Sequence, residues 1–378
     1  MSILRGLVGP TALTAALALV PLEASAQVPG AAGDAGWARD ARARARAHLP
    51  FRDSVVSFDT ALSARTVGLA PSPQTANPTL ESTASFRPRW HLTDDPAAGV
   101  FLAGRVDVTR ELTDSDVTTR RGETLLSDTA LIAAYRRVLR AEGAYLTFLQ
   151  VAAPSITLPT SKFSYSNGTY LGLGTSARVS QRLPLIGLES PSLGAVIVSL
   201  AAGYDHTFTR AVVPTDPELR RVRLTPEGRT APGDQLTAAA FPEHEMRADL
   251  GLSLPLAPRL DLGGVLSYRP QIKYDLGKVE VCTVTGCADV PRDPDRSRVV
   301  VLTVFQAQLQ YQVEDEFSVA LGYANLAVQP GPDGEHRNPF SSPGAQVYLT
   351  LFGHLDALYQ AVVPPPPEDP PPAQRPRR

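Results

Sequence analysis

Cysteine is nearly absent from this sequence, with 2 residues among 378. Two thiols cannot build the disulfide framework of a small secreted domain or a four-thiolate zinc site. Charge of one sign is also lacking, because 36 Lys and Arg stand against 38 Asp and Glu. Nucleic acid as a partner requires a concentrated basic surface, and a net charge of -2 gives no support for one. The apolar content of 43% excludes a disordered chain.

Long apolar runs are missing after the N-terminal region. No later window supplies the roughly 18 continuous apolar residues that a membrane-spanning helix needs. The first residues are different, because Arg5 precedes an apolar stretch that ends in the small residues Ala24-Ser25-Ala26. This order of charge, apolar core and small residues is typical of a secretory signal peptide. We expect residues 1–26 to be removed and the mature chain to be exported from a bacterium-like cell.

Most of the remaining sequence alternates between apolar and polar residues with a period of two, starting near Val55. Between Val301 and Val313 the apolar face includes Phe305 and Leu309. The other face carries four successive glutamines, Gln306, Gln308, Gln310 and Gln312. Glutamines in this number cannot line a dry core, so the pattern predicts strands with one apolar and one wet face. The same split recurs in residues 80–92, 245–256 and 347–359.

Twelve such segments are present, centred near residues 60, 86, 105, 132, 149, 177, 200, 249, 266, 306, 321 and 352. Short and long connections nearly alternate between them, as in bacterial membrane barrels. The apolar stripes must be buried, and lipid is the environment that the charged opposite faces leave for them. We therefore predict an all-β fold, a single closed antiparallel transmembrane β-barrel of about 12 strands, with 10 or 14 as alternatives. An exported soluble β-sandwich is the rival fold.

This organisation implies four segments: a signal peptide (1–26), a periplasmic N-terminal arm (27–53), the barrel (54–359) and a periplasmic tail (360–378). Proline dominates the tail, which is expected to be an extended polyproline segment.

The signal peptide, the alternating strands and Tyr359 near the end of the last segment resemble bacterial outer-membrane β-barrel proteins. The stretch Ile156-Thr157-Leu158-Pro159-Thr160, followed by Tyr170-Leu171-Gly172-Leu173-Gly174, is similar to segments of small-molecule channels linked to aromatic-compound degradation. The resemblance implies an outer-membrane location with both termini in the periplasm. It also implies contact with outer-membrane lipids, small solutes and the outer-membrane assembly machinery, and it requires no cofactor.

Charged residues on the polar faces are the candidate pore lining. We expect a constriction with basic and acidic sides, which would orient dipolar solutes and set ion preference. The alternative is a closed structural or adhesive barrel, filled by interior ion pairs, that acts through its long extracellular loops. The candidates are Glu81, Arg87, Arg89, Arg105, Asp107, Glu245, Arg247, Asp249, Arg269, Lys273 and Asp275.

Two sequence features bear on catalysis and metal binding. The stretch Ser164-Tyr165-Ser166-Asn167-Gly168 is similar to the active-site segment of outer-membrane phospholipases. Those enzymes place a histidine two residues before the serine, and here that position is Ser164, so Ser166 lacks its activating base and no enzyme is predicted. Alternation places His244 on the face opposite Glu243 and Glu245, which predicts no metal site.

The two cysteines lie close together in a long connection, as Cys282-Thr-Val-Thr-Gly-Cys287. In an exported chain this spacing favours a disulfide that closes a hairpin tip, with a stabilisation of roughly 2 kcal/mol.

Overall fold

The structure is a computed structural model that describes most of the predicted barrel. The described residues are 49–63, 80–93, 95, 98–113, 122–142, 145–166, 168–184, 195–210, 212, 241–257, 259–275, 277–283, 286–291, 298–329, 336–342 and 345–363. The predicted signal peptide, most of the predicted arm and nearly all of the proline-rich tail lie outside them.

The described chain is almost entirely strand. The first strands are β1 (Val55–Ser63), β2 (Leu80–Arg87), β3 (Arg89–His91), β4 (Ala98–Glu111), β5 (Thr124–Leu126), β6 (Thr129–Glu142), β7 (Tyr145–Leu158) and β8 (Thr169–Pro184). The others are β9 (Ala195–Thr209), β10 (Pro242–Ala257), β11 (Leu260–Lys273), β12 (Lys278–Thr283), β13 (Gly286–Pro291), β14 (Val299–Gln312), β15 (Phe317–Gln329) and β16 (Gln346–His354). Two helices are α1 (Lys162–Ser166) and α2 (Leu355–Val362). Within the described ranges, no helix has the length and apolar character to cross a membrane.

The strands close into a ring. Each strand of the wall pairs antiparallel with its neighbours, and β1 pairs with β16 from Val55 opposite His354 to Ser63 opposite Gln346. The order around the ring is β1-β2-β4-β6-β7-β8-β9-β10-β11-β14-β15-β16, where β3 continues β2 and β5 continues β6. The predicted closed antiparallel β-barrel with 12 strands is therefore confirmed, and the β-sandwich is excluded.

Two of these strands are interrupted. Pro88 separates β2 from β3, because proline has no N–H to donate to the neighbouring strand. Its carbonyl still accepts a hydrogen bond from Gly104 N at 2.9 Å, so both pieces stay in line against β4. The break between β5 and β6 falls at Ser127 and Asp128.

The wall has a mainly polar inner face and an apolar outer face. In β1, Asp59 is 8% exposed, whereas its neighbour Phe58 is 59% exposed. The same alternation gives exposed Leu200, Leu250 and Leu351 on the outside of other strands. A surface this apolar is stable only in contact with lipid, and closure leaves no unpaired strand edge in the bilayer. The molecule is thus a transmembrane β-barrel.

Most short connections lie at one end of the barrel and most long ones at the other, although connections 185–194 and 159–168 have the same length. At one end, here named the short-turn end, lie connections 92–97, 143–144, 185–194, 258–259 and 313–316. The long-loop end carries connections 64–79, 112–128, 159–168, 210–241, 274–298 and 330–345. The β12–β13 hairpin belongs to connection 274–298 and forms a separate two-stranded sheet.

The C-terminal boundary of the barrel differs from the prediction. The last strand ends at His354, and Tyr359 lies in helix α2. There its ring meets that of Phe51 edge-on, with centroids 5.3 Å apart. Leu355 and Tyr359 are four residues apart, a spacing that one face of a strand and one face of a helix both allow, and this ambiguity explains the error.

Candidate pore lining

Ten of the eleven predicted lining residues lie on inner-face positions of the wall strands. They share the side of buried Ser57, Ser85, Ser267 and Gln271. Asp275 is different, because it lies beyond the end of β11 with a side chain that is 74% exposed, 4.0 Å from Arg298. The ten are Glu81 and Arg87 in β2, Arg89 in β3, Arg105 and Asp107 in β4, Glu245, Arg247 and Asp249 in β10, and Arg269 and Lys273 in β11.

One side of the lumen contains an ion pair along β4. Arg105 Nε donates to Asp107 Oδ2 at 2.8 Å, and Nη2 approaches the same oxygen at 2.5 Å. The Asp107 backbone N–H donates to Ser127 Oγ at 2.9 Å, which fixes the strand next to the break between β5 and β6. Asp107 Oδ1 is buried and has no hydrogen-bond partner among the described residues.

A connected polar network lies on β10 and β11. Arg247 Nε is 3.4 Å from Asp249 Oδ2, and Ser267 Oγ donates to Asp249 Oδ1 at 2.5 Å. Arg269 Nε in turn donates to Ser267 Oγ at 2.9 Å. This second ion pair also runs along one strand, so neither it nor the pair in β4 crosses the bore.

Sequence reasoning missed several inner-face carboxylates, among them Asp59 and Asp205. Asp59 in β1 accepts hydrogen bonds from Ser57 Oγ at 3.2 Å and from Thr350 Oγ1. Asp205 in β9 leans over Gly174 of β8, where a Cβ would overlap its carboxylate. Alternation in β1 could have found Asp59, because the outward position of Phe58 places its neighbour inside.

The inner face near the short-turn end carries aromatic rings beside cations. Phe101 is 3% exposed and packs with Ala134 and Ala152. The Arg89 guanidinium lies 4.7 Å from the centre of the Phe101 ring, and Arg136 lies at the same distance from Phe148. Phe101 is thus buried, whereas the half-buried ring of Phe148 beside Arg136 gives this part of the wall both apolar surface and positive charge.

Asp53 precedes β1 and contacts two residues of β3 near the short-turn end. Its Oδ2 is 3.3 Å from Arg89 Nη1 and 3.6 Å from His91 Nε2. Partial burial on its own would raise the pKa of Asp53. The nearby His91 imidazole and the charges of Arg89 and Arg136 outweigh it and lower this pKa from 3.8 to about 2.

Both short motifs have structural roles near α1. Thr160, the last residue of the Leu-Pro-Thr segment, accepts a hydrogen bond from Thr129 N at 2.9 Å and donates to Ser127 O at 2.8 Å. These bonds fix the backbone between the end of β5 and the start of β6. Ser164, which occupies the place of the phospholipase histidine, donates its hydroxyl to Asp128 Oδ2.

The prediction that Glu243 and His244 lie on opposite faces of the strand is wrong. A register shift between Pro242 and His244 interrupts the alternation of β10. Glu243 Oε1 consequently lies 3.7 Å from His244 Nε2, and His206 joins them in one cluster.

The cysteines lie in the β12–β13 hairpin. Their backbones are directly opposite one another, and Cys287 is disulfide-bonded. The stabilising contribution of a Cys282–Cys287 bond stays a prediction.

No protein-family model matches the chain, and no curated protein is significantly similar to it. Among solved structures, an outer membrane channel from Pseudomonas putida F1 is 11% identical, with 81% of this chain and 96% of that chain covered and a TM-score of 0.46. The KdgM porin is 6% identical, with 79% and 98% covered and a TM-score of 0.32. The TodX monoaromatic hydrocarbon channel is 11% identical, with 79% and 88% covered and a TM-score of 0.34. Because all three TM-scores are below 0.5, the fold assignment rests on the strand pairing itself.

Proposed function

We propose that the protein is a channel of the bacterial outer membrane for passive or facilitated passage of small polar or amphipathic solutes. The observation that carries the proposal is the direction of the interior ion pairs. Arg105–Asp107 and Arg247–Asp249 each join residues two apart on one strand. Charges held along the wall line a lumen, whereas pairs bridging the bore would fill it.

The positions of these strands suggest how solutes are selected. β4 and β11 are six strands apart in either direction around the ring, so they face each other across the lumen. Arg105 and Asp107 on β4 therefore oppose Arg269 on β11. Mixed charges on facing walls produce a transverse field that orients dipolar solutes. The half-buried ring of Phe148 beside Arg136 adds apolar surface suited to amphipathic solutes.

The two ends of the barrel support an orientation in the membrane. The described chain begins at Leu49 and ends at Val363, and both residues adjoin the short-turn end. In bacterial outer-membrane barrels the short turns face the periplasm and the long loops face outward. We therefore place both termini in the periplasm and the β12–β13 hairpin outside the cell.

Ion selectivity of single channels tests the lining. In a KCl gradient we expect Arg105→Gln to shift the reversal potential toward cation preference, because a lumen cation is removed while Asp107 keeps its charge. Asp249→Asn should shift it in the opposite direction. Arg110→Gln is the matched control, because Arg110 lies on the same strand with its side chain on the outer face.

An unchanged reversal potential for both lumen variants would contradict the proposed lining. A shift for Arg110→Gln as large as that for Arg105→Gln would also contradict it, because surface charge alone would then explain the effect.

A further inference from the structure

Two histidines face each other on neighbouring strands at the long-loop end of the barrel. His206 of β9 is directly opposite His244 of β10. Their neighbours Asp205 and Glu245 occupy the inner face, so the histidines share the outer face with Tyr204, which is 39% exposed. The pair is therefore outside the lumen and separate from the proposed pore lining.

The side chains of this cluster already approach one another. His206 Nδ1 and His244 Nδ1 are 3.1 Å apart. Glu243, His206 and His244 each offer one ligand atom, and these atoms lie within 4.8 Å of one another. Two nitrogens bound to one tetrahedral zinc ion at 2.0–2.1 Å are about 3.4 Å apart. His244 faces His206 through Nδ1 and Glu243 through Nε2, so its ring must rotate before one of its nitrogens can share an ion with both partners.

The third donor depends on an irregularity of the strand. Regular alternation would turn Glu243 away from His244, and the register shift between Pro242 and His244 removes that constraint. Glu243 Oε2 lies 3.5 Å from Arg298 Nη2, while Oε1 faces His244. One carboxylate oxygen is thus held by a cation and the other is directed toward the imidazole.

We propose that His206, His244 and Glu243 bind a divalent transition-metal ion of the zinc type at the outer rim of the barrel. Two imidazoles and one carboxylate form a ligand set that suits such ions better than Mg²⁺ or Ca²⁺, which prefer oxygen donors alone. Three protein ligands leave a fourth position for water. Tyr204 hydroxyl, 2.8 Å from His244 Nδ1, contacts the same ring and restricts its orientation.

The position of the site gives the ion a structural effect. β9 and β10 are joined by connection 210–241, the longest of the barrel, and the histidines lie near its base. A bound ion would cross-link the two strands at the point where this connection leaves the wall. Binding to the folded state alone also stabilises the barrel by mass action.

Calorimetric titration of the refolded, tag-free mature protein with ZnCl₂ tests this proposal. We expect saturable binding of about one equivalent per chain. His206→Gln and His244→Gln should each weaken the affinity at least tenfold, and Glu243→Gln should weaken it severalfold. His336→Gln is the control, because it removes an exposed histidine of connection 330–345 and should leave the titration unchanged.

Heat-modifiable gel mobility establishes that each variant is folded before it is titrated. An affinity of the double variant His206→Gln/His244→Gln within twofold of the original protein would overturn the proposal. So would the absence of saturable zinc binding to the folded barrel. Channel conductance is measured on the same samples, so failure of the metal site and failure of the pore are distinguished.

Discussion

At Gly322 the inner wall has no side chain, and the ring of Tyr348 from β16 occupies the space. A Cβ at Gly322 would overlap that ring. Tyr348 is 5% exposed, and its hydroxyl lies 3.4 Å from Gln308 Oε1 on β14. The tyrosine thus reaches across β15 because β15 carries a glycine at this position, and the absence of one side chain determines the place of another.

Replacing this glycine should therefore destabilise the barrel. We expect Gly322→Val to lower the free energy of unfolding by about 1–3 kcal/mol, the usual cost of overpacking. Urea-induced unfolding followed by tryptophan fluorescence measures the change. Gly264→Ala serves as the control, because the nearest atom to its Cβ would be Gln306 O at 3.5 Å. If Tyr348→Ala did not relieve part of the loss in the Gly322→Val background, the steric explanation would be wrong.

Asp53 gives a residue-scale prediction about acid. Its pKa is lowered from 3.8 to about 2, so its charge stabilises the folded state above pH 4 and this contribution is lost as the pH falls toward 2. We expect Asp53→Asn to unfold at lower urea concentration at pH 6 and to differ little from the original protein near pH 2. Asp289→Asn, at an exposed position of the β12–β13 hairpin, should show no such pH-dependent difference. If the difference in urea midpoint between Asp53→Asn and the original protein were the same at pH 6 and at pH 2, the lowered pKa of Asp53 would be refuted.

At the scale of elements, helix α2 links the two described ends of the chain. Leu355 N donates to Ser54 O at 3.0 Å, and Asp53 N donates to Asp356 Oδ2 at 3.4 Å. The Phe51 and Tyr359 rings add an edge-to-face contact at 5.3 Å. The helix is therefore held by the N-terminal residues that precede β1.

A double-mutant cycle measures the strength of this link. We expect Phe51→Ala and Tyr359→Ala each to lower the free energy of unfolding, with a coupling energy of about 0.5–1.5 kcal/mol between them. Tyr359→Phe should leave stability nearly unchanged, because the contact involves the ring and not the hydroxyl. Strict additivity of the two alanine substitutions would show that the rings do not stabilise the junction.

The sequence predicts where the strands of this barrel lie better than where the last strand ends or where the pairing shifts register. Period-two alternation identifies segments such as β14, whose glutamines lie inside and whose Leu309 and Tyr311 lie outside. It fails at α2, because Leu355 and Tyr359 fit a helical spacing as well. It fails also at Glu243, where a register shift that depends on the partner strand breaks the alternation. Such a shift is a property of the pairing between two strands, which the alternation within one strand does not contain.

At the scale of the whole molecule, closure was predictable and the interior arrangement was not. An even number of two-faced strands with alternating short and long connections permits few folds other than a barrel. The contacts among Arg105, Asp107, Arg247 and Asp249 depend on side-chain directions that the sequence does not specify. Those contacts decide whether interior charges line a lumen or bridge it, and a barrel of this size permits either outcome.

Planar-bilayer conductance of refolded residues 27–378, the mature chain that the sequence predicts, tests the central claim most directly. Heat-modifiable gel mobility first confirms that the barrel is folded. The proposed channel predicts discrete conductance steps, because the ion pairs Arg105–Asp107 and Arg247–Asp249 lie along the wall. A folded barrel that remains silent would contradict it and would favour the closed structural or adhesive barrel that acts through its long loops.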